Sequence, residues 1–236
     1  MILNQQSNTG VIRFCFFRHG ETDWNSEKRF QGNTDIPLNK NGRHQAQLLR
    51  PFLAKFGPDA VLSSDLGRAR ETADIATSGM SVSRHVIPEL RECFFGAVEG
   101  MTRDEIVREY GEETLRKFFS PRPADLDAKF ELGETKREHL ARVLGFLTTW
   151  VKDVAFSRVA VSTHAGVIWR LLSTSPDYSE TAPLIPNCAP FLFELDRSSG
   201  RLKYLPTTSL EESTEQAFEA PKNVLNSLPT SNSTSP

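Results

Sequence analysis

The chain alternates two kinds of apolar pattern, and that alternation limits the folds open to it. Residues 11–17, VIRFCFF, form a short β-branched and aromatic run that stops abruptly at Arg18, His19 and Gly20, as a buried strand does. Between 41 and 56, Ala46, Leu49, Leu53 and Phe56 recur at three- and four-residue steps and draw one apolar stripe on a helix. A strand is expected over 59–63, then a helix capped by Asp65 that buries Leu66, Ala69, Ala73 and Ala76. A third strand region follows at 82–90. Leu140, Val143, Leu144, Leu147, Val151 and Val154 mark one face of a long helix over 134–154, and 158–163 reads as the next strand. Residues 167–172 look helical, and 191–195 with 202–205 flank Ser198-Ser199-Gly200 as a hairpin. Such alternation predicts an α/β fold, a three-layer sandwich with a mostly parallel central sheet and helices on both faces.

Elsewhere the pattern breaks. Thr102-Arg103-Asp104-Glu105 has the form of a capping box and predicts a short helix after it. Between 111 and 133, Pro121, Pro123 and alternating charges interrupt the periodicity, so this stretch is expected to be a lid-like insertion. Residues 1–10 read as a polar extension and 11–206 as one catalytic domain. Over 207–236 more than half the residues are Ser, Thr, Asn or Pro, too few of them apolar to offset the entropy of ordering, so a disordered tail is expected. Asn232-Ser233-Thr234, inside that tail, matches a glycosylation acceptor by composition alone.

Composition excludes several classes of function. A net charge of -2 gives no long-range pull toward nucleic acid or anionic membrane, so an anionic ligand must be held by local clusters of cations. Cys15, Cys93 and Cys188 are odd in number and scattered, which argues against a disulfide framework or a cysteine zinc site. The N-terminal ten residues lack the basic start and apolar core of a signal peptide, and no run reaches membrane-spanning length. A cytoplasmic protein is expected.

In an open α/β sheet, ligands bind beyond the C-terminal ends of the strands. Strand one ends in Arg18 and His19, strand two leads through Ser63-Ser64-Asp65-Leu66-Gly67 to Arg68, and the fourth hands over to His164. Two arginines and two histidines on one edge suit a phosphoryl group, because a guanidinium donates two parallel charge-assisted hydrogen bonds to its oxygens. A neutral imidazole there can attack phosphorus and split one hard displacement into two.

Separate segments agree with that reading. Arg18-His19-Gly20-Glu21-Thr22, Trp24-Asn25, Arg29-Phe30-Gln31-Gly32 and Asp35-Ile36-Pro37-Leu38 resemble the signature of the histidine phosphatase superfamily, in its phosphoglycerate mutase-like branch. The run from Ser63 through Arg68 to Ala73 resembles its second block, Leu90-Arg91-Glu92 with Phe95-Gly96 and Glu99-Gly100 its acid-bearing block, and Thr163-His164-Ala165-Gly166 its last. The resemblance spans about 11–205. It implies His19 as nucleophile, Glu92 as proton donor and acceptor, and Arg18, Arg68 and His164 as the rest of a phosphate pocket that Asn25, Gln31 and Gly32 join. It also implies a small phosphomonoester substrate and neither metal nor other cofactor.

Other phosphate chemistries are absent from the letters. No cysteine is followed six positions later by arginine, Lys129 stands where an aspartyl-phosphate motif beginning at Asp125 needs Thr or Val, and there is no G-x-x-x-x-G-K-[ST] loop. A cofactor-dependent phosphoglycerate mutase is the alternative enzyme, and a non-catalytic phospho-ligand module a third reading. Cys93-Phe94-Phe95 departs from the mutase pattern, Glu99-Gly100-Met101-Thr102 resembles the phosphatase branch, and Val98 stands where phosphatase relatives commonly place Trp. His44, His85 and His139 read as surface or packing residues, Trp24 as packing, and Arg103, Arg122 and Lys129 as the cations to consider for substrate contact.

Overall fold

A computed structural model describes residues 10–175 and 184–206. In chain order the principal elements are β1 (Val11–Arg18), α1 (Asp23–Ser26), α2 (Lys40–Phe56), β2 (Ala60–Ser63), α3 (Gly67–Ala76), β3 (Ser83–Val86), α4 (Arg103–Tyr110), α5 (Glu112–Phe119), α6 (Lys136–Trp150), β4 (Arg158–Thr163), α7 (Ala165–Leu172), β5 (Pro190–Asp196) and β6 (Leu202–Leu205). Single 3₁₀ turns occur at Pro88–Leu90, Gly96–Val98 and Pro123–Asp125. The expected tail over 207–236, most of the 1–10 extension and the acceptor-like triplet lie outside the described residues.

The six strands lie in the order β3-β2-β4-β1-β5-β6. β3, β2, β4 and β1 run parallel, while the β5–β6 hairpin closes the edge antiparallel to β1. Register aligns the C-terminal ends of the parallel strands: Arg18 pairs with Thr163, Ser63 with Ser162, and Ser63 with Val86. Chains leaving these strands therefore emerge side by side.

Strand pleating sends alternate β1 side chains to opposite faces. Ile12, Phe14 and Phe16 join Val159, Val161, Phe193 and the buried sides of α6 and α7, whereas Cys15 and Phe17 meet Ala46, Leu49 and Leu53 of α2 and Ala73 and Ala76 of α3. These two cores are the expected three layers. A third apolar cluster, Cys93, Val98, Ile106, Leu115, Phe118 and Phe130, lies apart and carries the segment between Glu92 and α6.

Two local expectations are corrected. Asp65 does not cap α3; Leu66 occupies that position with no side-chain hydrogen bond, and the Asp65 carboxylate instead takes a two-pronged ion pair from Arg91 at 2.7 and 2.5 Å. The buried stripe of α6 is Lys136, His139, Val143 and Leu147, with Leu140 and Val154 only half-buried. Lys136 occupies that seam because it finds polar partners inside: its ammonium donates to the Lys117 and Ser120 carbonyls that end α5, at 2.9 and 2.6 Å. Capping boxes open α1 at Thr22, α4 at Thr102 and α6 at Thr135.

Candidate active site

The aligned strand ends deliver the site. β1 leads to Arg18 and His19, β4 to His164 at the N-cap of α7, β2 to Arg68 in the first turn of α3, and β3 through the 3₁₀ turn to Glu92. Arg18, His19, Asn25, Gln31, Gly32, Arg68 and Glu92 line one cavity of about 380 Å³. The His164 ring centroid lies 5.2 Å from that of His19.

His19 is buried, and its Nδ1 lies 2.7 Å from the Gly20 carbonyl oxygen. A carbonyl only accepts, so Nδ1 carries the hydrogen and the lone pair of the neutral ring sits on Nε2. Burial, followed by the positive charges of Arg68 and Arg18, holds its pKa well below the ordinary histidine value. The ring is neutral and oriented, with a lone pair that is chemically able to attack phosphorus. His164 is fully buried and likewise held neutral by burial and then by Arg68; neither of its ring nitrogens has a hydrogen-bond partner among the described residues.

Arg68 is inaccessible to solvent, and its guanidinium donates to the carbonyls of Gly32 at 2.7 Å and Thr34 at 2.8 Å, with Asp35 at 3.6 Å. Burial lowers its pKa to about 10 against the opposing pull of Glu92, Asp35 and Glu99, which still leaves it charged at neutral pH. Its Nε has no partner among the described residues. Arg18, half-buried, spends Nη1 on the Ile185 carbonyl at 2.9 Å, and its Nε likewise has no partner among the described residues. Both forks are anchored and keep a donor in reserve.

Glu92 is 8% exposed, and each carboxylate oxygen accepts one backbone N–H: Oε1 from Cys93 at 2.8 Å, Oε2 from Gly166 at 2.9 Å. Asn25 Oδ1 accepts from Thr22 N and Asn187 Nδ2, leaving its own amide hydrogens as the available donors. Gln31 is buried, and its Oε1 has no hydrogen-bond partner among the described residues. Gly32 adopts φ +55, and a Cβ there would lie 1.9 Å from Glu99 Oε1. That carboxylate gathers the Asn33, Thr34 and Phe95 N–H groups, so the glycine shapes the loop whose carbonyl anchors Arg68.

Several contributors were missed. Asn187 Nδ2 donates to the His19 carbonyl at 2.8 Å across 168 residues, and Thr72 Oγ1 accepts from Gly20 N at 2.9 Å while donating to the Arg68 carbonyl at 2.7 Å. Arg142 of α6 donates to the carbonyls of Glu89, Arg91 and Glu92 at 2.7, 3.2 and 3.3 Å while paired with Glu134. No local spacing in the sequence announces such contacts. Of the cations considered for substrate contact, Arg103, Arg122 and Lys129 are not among the lining residues; Lys28, Arg29 and Arg170 are. Phe118 and Phe119, from the 111–133 stretch, also line the cavity. Trp24 packs against Gly100, and His139, expected at the surface or in packing, is fully buried at the cavity wall.

Among the described residues, Cys93, Glu134 and His139 bring potential metal-ligating atoms within 4.8 Å of one another. The Glu134 carboxylate is already held by Arg142 Nε and Nη2 at 2.9 and 2.8 Å, so an ion would have to displace an arginine to be bound there.

A neutral imidazole between two guanidiniums, with a second imidazole and a carboxylate beside it, at the carboxyl edge of a doubly covered sheet, has the chemistry to bind and transfer a phosphoryl group. Residues 14–207 match the histidine phosphatase superfamily (branch 1), and the chain belongs to that family. A Serratia proteamaculans protein named "Probable phosphoglycerate mutase GpmB" is 32% identical over 216 residues, covering 86% of this chain and 99% of its own. The Bacillus subtilis "Uncharacterized phosphatase PhoE" is 30% identical over 159 residues, 67% of this chain and 75% of its own. Among solved structures, the mycobacterial glucosyl-3-phosphoglycerate phosphatase Rv2419c, in complex with VO3, superposes with a TM-score of 0.64 at 25% identity, over 77% of this chain and 92% of that one. The protein is thus an enzyme of the phosphatase family, and among the described residues no helix is long and apolar enough to cross a membrane.

Proposed function

We propose that the chain is a metal-independent phosphomonoesterase that carries the phosphoryl group on His19 and acts on a small phosphorylated metabolite. The observation that carries this reading is the neutral His19 ring, with Nδ1–H spent on Gly20 and Nε2 left as nucleophile between Arg18 and Arg68. His19 Nε2 attacks phosphorus in line, the P–O bond to the alcohol breaks, and Glu92 gives the departing oxygen its proton. Water then loses a proton to Glu92 and attacks the phosphohistidine, the P–N bond breaks, and the imidazole returns to its neutral state. Arg18, Arg68, His164, Asn25, Gln31 and the Gly32 loop bind the phosphoryl oxygens and spread the charge of the transition state. A binding module would need the cations but neither an oriented neutral imidazole nor a held carboxylate.

The 111–133 insertion, which contributes Phe118 and Phe119 to the cavity wall, is proposed to select the leaving group. Three buried, unpaired cysteines fit a reducing compartment such as the cytoplasm.

Similarity to GpmB favours one second reading, return of the phosphoryl group to substrate rather than to water. Hydrolysis of p-nitrophenyl phosphate in excess EDTA tests the main reading, which expects turnover that survives chelation and vanishes in His19→Ala. No turnover between pH 5 and 8 overturns it. With 3-phosphoglycerate and a bisphosphoglycerate primer, 2-phosphoglycerate appearing faster than free phosphate would establish the mutase instead.

A further inference from the structure

Outside the phosphate pocket, one group of side chains has the make-up of a metal site. Cys93 precedes the 111–133 insertion and Glu134 and His139 follow it, yet their Sγ, carboxylate oxygen and ring nitrogen all lie within 4.8 Å of one another. Cysteine spacing could not announce this, since the thiol meets Glu134 across 41 residues. His139 is completely buried, and neither ring nitrogen makes a hydrogen bond among the described residues. Cys93 is 1% exposed, and its thiol has the Phe94 and Glu134 carbonyls, at 4.0 and 3.7 Å, as weak acceptors. A buried imidazole left idle costs free energy unless a ligand engages it. Cys93 and His139 both line the active-site cavity, which gives an ion from solvent its path to them.

We infer that Cys93, His139 and Glu134 bind Zn²⁺ and that the bound ion inhibits the enzyme. A thiolate, an imidazole and a carboxylate are ordinary zinc ligands, whereas Mg²⁺ and Ca²⁺ prefer oxygen alone. Ligand atoms around tetrahedral zinc stand about 3.4–3.8 Å apart, so the ion draws these three together by about 1 Å, and water from the cavity completes the four. The thiol proton goes to solvent as the Zn–S bond forms. Binding also takes Glu134 from Arg142, whose Nε and Nη2 hold both of its carboxylate oxygens in the free enzyme. The two exchanges converge on Glu92, because Cys93 N donates to its Oε1 and Arg142 to its backbone carbonyl. Zn²⁺ therefore lowers kcat by moving Glu92 and leaves the phosphate pocket open.

The test titrates the chelator-stripped full chain with Co²⁺, a spectroscopic stand-in for Zn²⁺, and with buffered Zn²⁺ during hydrolysis of an aryl phosphate. The wild-type protein is expected to show a cobalt–thiolate charge-transfer band in the near ultraviolet that Zn²⁺ abolishes, and Zn²⁺ is expected to lower kcat with little change in KM. In Cys93→Ser the band is expected to vanish and the Zn²⁺ needed for half-inhibition to rise by more than about 10²-fold, since a lost ligand costs more than the roughly 10–100-fold of a lost outer-shell partner. Arg142→Met, which frees Glu134 from its competitor, is expected to bind the ion about 10-fold more tightly. Absence of the thiolate band in the wild-type protein overturns the site whether or not the variants fold, and Zn²⁺ that fills the site without lowering kcat overturns the inhibition. A band or an inhibition unchanged in folded Cys93→Ser also overturns the site, because the ion would then sit on another thiol or on His19 and His164. The cobalt spectrum needs no turnover, so its outcome is separate from that of the phosphomonoesterase reading.

Discussion

Gly166 N donates to Glu92 Oε2 at 2.9 Å, and a Cβ on residue 166 would lie 2.1 Å from Glu92 Oε1. The carboxylate and the first turn of α7 approach so closely that a side chain at residue 166 would have to displace the carboxylate. Gly166 therefore sets where the Glu92 carboxylate stands relative to His164, two residues before it at the N-cap.

Gly166→Ala should push Glu92 out of place without unfolding the protein, because the helix accepts alanine. We expect kcat for an aryl phosphate to fall about 10²-fold, the loss that a displacement near 1 Å brings. Steady-state kinetics with far-UV circular dichroism check this. Activity within twofold of wild type would show that the acid does not depend on this contact.

Arg142 holds the backbone around Glu92, through the carbonyls of Glu89, Arg91 and Glu92. Arg142→Met should cost about 2 kcal/mol of stability by leaving those carbonyls and Glu134 without their donor. It should also lower kcat about 10²-fold by loosening Glu92. Urea denaturation and kinetics on the same sample separate the two effects. Lost stability with unchanged kcat would make Arg142 a purely structural residue.

Three buried imidazoles, His19, His139 and His164, are held well below the ordinary histidine value, in each case by burial first. The unfolded chain takes up protons on them near pH 6.5 while the native protein does not. Their contribution to stability is therefore complete above that pH and is lost as pH falls from there toward the native values. Each contributes a slope approaching about 1.4 kcal/mol per pH unit within that window. Urea midpoints measured at pH 7.5, 6.5 and 5.5 should decline. A midpoint that stays level or rises toward pH 5.5 would mean that these histidines protonate in the folded state.

What the sequence made legible was what repeats locally or follows a strand directly. The β1 run ends at Arg18 as its apolar pattern does, the Leu66, Ala69, Ala73 and Ala76 face is buried as spaced, and Thr102 opens α4 by the capping box it spells. His19, Arg68, Glu92 and His164 come together because parallel register aligns the ends from which they emerge. What stayed hidden depends on side chains reaching distant backbone. Arg142 resembled any helix-surface arginine, Asn187 reaches His19 from 168 residues away, and Arg170 sits within an apolar helix with nothing to mark it as a cavity wall. Asp65 had the composition of a cap, but Arg91, placed by the next crossover, outcompeted the helix terminus for its carboxylate.

The central claim is that the phosphoryl group rests on His19. Rapid acid-free quenching of the enzyme with a good aryl phosphate, followed by peptide mass spectrometry, reads it directly. The account predicts a phosphoryl mass increment on the peptide containing His19, stable to alkali, labile to acid and absent in His19→Ala. A phosphoryl group found on His164 or on any other residue, or a fully active His19→Ala enzyme, would contradict it.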